Sequence, residues 1–213
     1  MHDTAPSPAA GDDRLRGVVA GEFLALADVL EVADGAAWTT PSLCAGWRLR
    51  EVVAHLTMPA RYGEERFMDE LRAHGFDFSA LSNAVAARDG ALPRAELLGA
   101  LRDETLHRWA PPGGGVHGAL NHVVIHSLDA TVPLGQVPVS EPALRVVLDD
   151  LTGGGHAHFG TEIAGRRLEA TDVDWHHGEG PVLRGPAVAL LLTLAGRNPP
   201  RPGLEGAPLA PRA

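Results

Sequence analysis

Apolar residues recur every three or four positions in four segments of the first 135 residues, a pattern that predicts four amphipathic helices. The last of them must stop before Pro133, because the residue before a proline is pushed out of the helical region. Helices of this length joined by loops favour an antiparallel four-helix bundle over residues 12–136. The four predicted helices begin near Asp12, Arg48, Pro93 and Val116.

The pattern changes after Val137, where the segments become shorter and partly alternate. Ser140 can cap a short helix that ends at Gly153–Gly155, and a second helix is predicted over Pro186–Ala195. Between them, alternating positions predict short strands, so residues 137–197 form a small α+β domain. The predicted strands are Arg166–Thr171, Val173–Trp175 and Pro181–Arg184. We expect residues 1–11 to be a flexible tail and the proline-rich residues 198–213 to be extended or disordered.

The second predicted helix contains an irregularity at its only histidine. Pro59 follows His55 by four residues and cannot donate the hydrogen bond that the His55 carbonyl would normally receive. The helix should therefore kink or end there. The polar run Arg61–Arg72 can continue it, and we expect Gly75–Gly90 to be a loop with a short helical piece.

Three chemically active side chains share one face of the fourth predicted helix. His122, His126 and Asp129 are spaced by four and three residues, which places them on adjacent turns. Two imidazoles one turn apart can bind one divalent metal, and the carboxylate can be a weak ligand or can hold a ligand histidine by its second nitrogen. The alternative is a chance arrangement of polar residues, since the chain has eleven histidines.

His55 is the natural third ligand, because adjacent helices of a bundle can direct side chains into one shared site. Three protein ligands leave a position open for catalysis, whereas a structural zinc site normally has four. We expect Zn²⁺, with Ni²⁺ as the other possibility. Under the alternative interpretation, His55 is a partly buried histidine that bonds to a backbone carbonyl.

Cys44 is the single cysteine, which excludes an internal disulfide and fits a reducing compartment. It could be a nucleophile, but its neighbours in sequence include no histidine, so we interpret it as a small core residue.

Charge and composition favour a small-molecule substrate. The net charge of −9 arises from 18 basic and 27 acidic residues, which argues against nucleic acid or an anionic membrane as the partner. The start of the chain has no signal-peptide pattern, and the apolar run Ala187–Ala195 is too short to span a bilayer. We therefore expect a cytoplasmic protein, either a monomer or a homodimer.

Three stretches in this order resemble the mycothiol-dependent maleylpyruvate isomerase-like family of the DinB/YfiT-like metalloenzyme superfamily. They are PSLCAGWRLREVVAHL, HVVIHSLDATVPLG and RLEATDVDWHHGEGPVLRGPAVALLLTLAGR. The resemblance implies a mainly α protein, with a DinB-like four-helix bundle followed by a small α+β domain. It also implies a divalent metal on His55, His122 and His126, although isomerase members have a glutamate in place of His122. An arginine of the second domain is implied near the active site, for which Arg197 is the first match and Arg184 the second.

Three functions are compatible with these features. In the first, the metal binds a low-molecular-weight thiol, by resemblance mycothiol, whose thiolate attacks a small electrophile and thereby gives isomerisation or S-transfer. Arg197 or Arg184 would then neutralise a substrate carboxylate. In the second, a metal-dependent enzyme uses metal-bound water without a thiol. In the third, the chain is a metal-binding bundle without catalysis.

Overall fold

The computed structural model describes residues 8–198, 203–206 and 208–211. The chain divides into two compact units. The first contains residues 8–33 and Arg50–Val123, and the second contains Asp34–Leu49 and the described residues after Val123. One helix, α8, continues from the first unit into the second. Most of the structure is helical, with a small sheet near the C-terminus, which confirms the predicted mainly α class.

The first unit is built around α1 (Pro8–Val32), which packs on α6 (Arg94–Leu101) and α7 (Glu104–Arg108). The predicted apolar stripe of α1 is buried as expected, with Phe23, Leu26 and Leu30 nearly inaccessible to solvent. The helix starts upstream of the predicted boundary at Asp12. Residues 1–7 of the predicted N-terminal tail lie outside the described residues.

The predicted irregularity after His55 is confirmed. Helix α2 (Leu49–Leu56) ends there, and a separate short helix, α3 (Met58–Arg61), begins with Pro59 in its first turn. The polar run that follows is a helix of its own, α4 (Glu64–Ala73), because the extended backbone at Gly63 separates it from α3.

For Gly75–Gly90 we predicted a loop with a short helical piece, but the helix found there, α5 (Phe78–Asp89), takes up most of the segment. The Asp77 side chain accepts a hydrogen bond from the backbone N–H of Ala80 and caps the helix start. Small alanine and serine residues make up much of the helix, so its apolar periodicity is weak. The helix predicted from Pro93 to Trp109 is also interrupted, because Asp103 caps a new start at α7.

Helix α8 (Gly115–Thr131) confirms the prediction for the segment with His122 and His126. It stops before Pro133, and a 3₁₀ turn at Val132–Leu134 follows. Gly135 then adopts the left-handed conformation with φ 72°, which a glycine adopts without a steric penalty. The helix therefore carries His122, His126 and Asp129 at the predicted helical spacing.

The second unit contains α9 (Glu141–Thr152) and α10 (Ala187–Leu194), which pack together. Helix α10 also contacts β2 (Arg167–Ala170) and β4 (Val182–Gly185). With β3 (His176–His177) and β5 (Glu205–Gly206), the sheet order is β3–β2–β4–β5, in which β2 is parallel to β4 and Leu168 lies opposite Leu183. The Ser140 cap of α9 is confirmed by its hydrogen bond from the backbone N–H of Ala143. Strand bounds are β1 Thr161–Glu162, β2 Arg167–Ala170, β3 His176–His177, β4 Val182–Gly185, β5 Glu205–Gly206 and β6 Ala210–Pro211.

The strand predicted over Val173–Trp175 is wrong, since that segment turns and strand β3 begins at His176.

The described parts of the predicted C-terminal tail include two strands. β5 pairs antiparallel with β4, and β6 pairs antiparallel with β1. Residues 199–202, 207 and 212–213 lie outside the described residues.

Among the described helices, none has the length and apolarity that crossing a lipid bilayer requires.

Candidate metal centre

The end of α2 places His55, and Arg61 holds this end in position. The Nη2 atom of Arg61 donates to the carbonyl of Ala54 at 2.6 Å, and its Nε donates to Oγ1 of Thr57 at 3.3 Å. The Ala54 carbonyl belongs to the last turn of α2, whose carbonyls have no backbone donor within the helix. His55 is 5% exposed, so its ring lies inside the protein rather than in bulk solvent.

Arg61 is in turn anchored on the buried carboxylate of Asp89. Arg61 forms an ion pair with Asp89, whose oxygens also accept from Nε of Arg88 at 2.8 Å and from the Tyr62 hydroxyl at 2.7 Å. Burial raises the pKa of Asp89, but the hydrogen bonds from Arg88 and Arg61 outweigh it and hold the pKa below its ordinary value. The carboxylate is therefore ionised at neutral pH and fixes the chain after His55.

His55 and His122 meet within the first unit. Their Nε2 atoms lie 3.0 Å apart, and their ring centroids are separated by 5.0 Å. Each histidine of the pair also has an aromatic neighbour. The Phe78 ring lies 6.4 Å from that of His55, and the Trp109 ring lies 5.3 Å from that of His122. Two imidazole nitrogens that converge in this way can bind the same cation.

His126, one turn further along α8, has a different environment within the second unit. Its Nδ1 lies 3.0 Å from Oδ2 of Asp129, which is fully buried. Arg197 binds the same carboxylate with two parallel bonds, from Nε to Oδ1 at 2.9 Å and from Nη2 to Oδ2 at 3.0 Å. Burial alone raises the pKa of Asp129, but the hydrogen bonds from His126 and Arg197 outweigh it and lower the pKa to about 2.

Cys44 belongs to this second group. The loop that carries it is held by hydrogen bonds from the Ser42 N–H to the Trp47 carbonyl and from the Leu43 N–H to the Asp129 carbonyl. The thiol donates to Oδ2 of Asp129 at 3.0 Å and lies 3.7 Å from Nδ1 of His126. Burial and the neighbouring charge of Asp129 raise the pKa of Cys44 to about 12. The thiol is therefore protonated at neutral pH, which disfavours it as a nucleophile.

The structure thus brings several of the predicted residues together. His55 meets His122, and His126 meets Asp129 and Arg197. Arg184, the second candidate arginine, instead lies on β4 with Nε 3.9 Å from Glu205, and its side chain is 51% exposed.

The hydrogen bond between Cys44 and Asp129 and the Arg61–Asp89 ion pair were not predicted from the sequence. Cys44 precedes Asp129 by 85 positions and Arg61 precedes Asp89 by 28. No periodic pattern marks contacts at such separations.

Comparisons with known proteins agree with this fold. Residues 19–131 match the family described as the mycothiol maleylpyruvate isomerase N-terminal domain. Among solved structures, the mycothiol-dependent maleylpyruvate isomerase aligns with 19% identity and a TM-score of 0.52. Its histidine-to-alanine variant aligns with 16% identity and a TM-score of 0.60. Each alignment covers 94% of this chain and 96% of the other, and at these identities the likeness establishes the fold. No curated protein matches the chain significantly.

Proposed function

This chain belongs to the mycothiol maleylpyruvate isomerase family, and we propose that it is a metal-dependent enzyme that uses mycothiol to transform a small electrophile. The proposed reaction is S-transfer or isomerisation. The observation that carries the proposal is the convergence of the His55 and His122 nitrogens, together with a third histidine one helical turn further on.

The donor set fits a divalent metal. Two nitrogen ligands of a tetrahedral zinc ion, each bound at about 2.0–2.1 Å, lie roughly 3.3 Å apart. The 3.0 Å between the Nε2 atoms of His55 and His122 is close to this spacing. We propose His126 as the third ligand through Nε2, since Nδ1 faces Asp129. Three imidazoles suit Zn²⁺, with Ni²⁺ as the other candidate.

A bound divalent metal lowers the pKa of a thiol, so that the thiol binds as its thiolate at neutral pH.

The residues around His126 would orient the site rather than react. Asp129 accepts the Nδ1 proton of His126 and thereby fixes the tautomer that presents Nε2. Arg197 holds this carboxylate in place, and the protonated thiol of Cys44 supplies a further hydrogen bond.

His122 changes the charge of the proposed site. The resemblance implies a glutamate at this position in the isomerase members. With His122 there, all three proposed ligands are neutral, so a bound ion would keep its full charge and attract an anionic thiolate more strongly. In either reaction the thiolate would attack a carbon of the electrophile. In S-transfer the carbon–sulfur bond remains and a carbon–oxygen bond of an epoxide, or the bond to another leaving group, breaks, whereas in isomerisation the carbon–sulfur bond breaks again and returns the thiolate.

Calorimetric titration of the metal-loaded protein with mycothiol tests the proposal, with metal content measured on the same samples. We expect the wild type to bind one metal and the thiol, and His122→Ala to lose both. His117→Ala is the matched control, because His117 is an exposed histidine of the same helix and should leave both unchanged.

Two outcomes would contradict the proposal. A protein that holds a full equivalent of metal but does not bind the thiol would instead be an enzyme that uses water, or a metal-binding protein without catalysis. If His117→Ala and His122→Ala lose metal equally, the proposed ligand set is wrong.

A further inference from the structure

Aromatic rings lie next to both candidate histidines in the first unit. Phe78 lies 6.4 Å from His55 and 6.5 Å from Phe67. Trp109 lies 5.3 Å from His122. Each of the two imidazoles that we propose as metal ligands therefore has an aromatic ring beside it.

Both bordering rings reach the surface. Phe78 is 47% exposed although its ring contacts that of His55, and Trp109 is partly exposed. Large aromatic rings gain free energy when a ligand covers their exposed surface, and flat ligands can stack on them in offset or edge-to-face geometry. The side chains next to the histidines thus suit a planar apolar group.

Arg197, the first candidate for holding a substrate carboxylate, is already engaged. All three nitrogens of its guanidinium have partners, since Nε and Nη2 bind Asp129 and Nη1 donates to the carbonyl of Ala195 at 3.0 Å. If a substrate carboxylate took over Arg197, the fully buried Asp129 would be left without its counter-ion, at a large cost. Arg184 is an exposed residue of β4 with only a weak surface pair to Glu205.

From these observations we infer that the electrophile carries an uncharged planar group, such as an aryl group, that lies against the exposed ring of Phe78 beside the histidine pair. This inference rests on the proposed function and specifies its substrate class. It separates this chain from an enzyme built for a dicarboxylate, because here apolar rings border the histidines and Arg197 is committed to Asp129.

The test compares two unreactive ligands on the metal-loaded full-length protein without thiol. One is 4-phenylbutan-2-one, a neutral aryl ketone, and the other is succinate, a dicarboxylate. Dissociation constants are measured by NMR chemical-shift titration. We expect the wild type to bind the aryl ketone more tightly than succinate, and Phe78→Ala to weaken the ketone about three- to tenfold, as for loss of one aromatic contact.

Phe76→Ala is the matched control. Phe76 is an exposed aromatic residue just before α5, and its removal should leave the binding of the ketone unchanged. Phe78→Leu keeps apolar bulk without a planar ring, so it should also weaken the ketone if stacking matters. The inference is overturned if succinate binds more tightly than the ketone, or if Phe78→Ala and Phe78→Leu both bind the ketone as Phe76→Ala does.

A parallel titration with mycothiol separates this inference from the proposed function. If the protein binds mycothiol but not the ketone, the inferred substrate class is wrong and the thiol-dependent function stands. If the protein binds the ketone but not mycothiol, the inferred contact with Phe78 is supported and the thiol-dependent function is contradicted.

Discussion

An arginine–aspartate pair supports a candidate histidine in each of the two units, but the pairs act at different points. In the first unit, Arg61 rests on Asp89 and binds the backbone carbonyl of Ala54, so it reaches His55 only through the end of α2. In the second, Arg197 rests on Asp129, which contacts the ring of His126 directly. The first pair places a histidine, and the second also determines which of its nitrogens carries the proton.

The difference shows that the position of a candidate histidine and the basicity of its ring nitrogen can be controlled by different contacts. A carboxylate that accepts from Nδ1 raises the basicity of the opposite ring nitrogen and fixes its direction. A carboxylate that acts through backbone contacts changes only where the ring lies. Variants of Asp129 should therefore lose more metal affinity than variants of Asp89.

The largest effect is expected for Asp129→Ala. It leaves the partly buried Arg197 without its counter-ion and His126 without its partner, which should lower the free energy of unfolding by about 3–5 kcal/mol. Metal affinity should fall about 10- to 100-fold. Urea unfolding and competition with a metal chelator measure the two effects. Asp129→Asn keeps the shape and is the control for volume.

Loss of stability with full metal affinity in Asp129→Ala would contradict a direct action of Asp129 on the histidine. Both arginine–aspartate pairs would then affect their histidines only through the stability of the fold.

An intermediate effect is expected for Asp89→Asn, which removes a charge that accepts three hydrogen bonds. Stability should fall by about 2 kcal/mol at neutral pH, with a smaller loss of metal affinity than in Asp129→Asn. Because the pKa of Asp89 is lower in the folded than in the unfolded protein, its contribution is complete above the ordinary pKa of 3.8 and is lost as the pH falls through the folded pKa.

Urea unfolding of the wild type and Asp89→Asn from pH 7 to pH 3 checks the sign. The stability gap between them should be constant above about pH 5 and should narrow below about pH 4. A gap that widens on acidification would mean that Asp89 is not held in its ionised form.

The smallest effect is expected for Cys44→Ala. The variant loses the hydrogen bond that the protonated thiol donates to Asp129 and the weak bond that the sulfur accepts from Nη2 of Arg197, which should together be worth about 1 kcal/mol. Metal content and mycothiol binding should be unchanged, as measured by the same calorimetric titration. Cys44→Ser keeps a donor and should recover part of the stability. Loss of thiol-dependent turnover in both variants, with metal retained, would instead assign Cys44 a part in the chemistry.

Local pattern predicted those parts of the fold that local interactions control. The stop of α2 near Pro59, the stop of α8 before Pro133 and the Ser140 cap of α9 each follow from one residue and its near neighbours, and all three are confirmed. Helix α5 was missed because alanine and serine give it little apolar periodicity. Its few buried apolar residues pack with Met58 and Tyr62, which a sequence window does not contain.

The sequence by itself determined the spacing of His122, His126 and Asp129 along one helix, since 3.6 residues per turn leave no other arrangement once the helix forms. Only the tertiary structure decided what each of them meets. It brought His55 to within 3.0 Å of His122, and it placed Cys44 and Arg197 on Asp129. Helical geometry acts over a few residues, whereas these contacts join segments between 67 and 85 positions apart and depend on how packed elements meet.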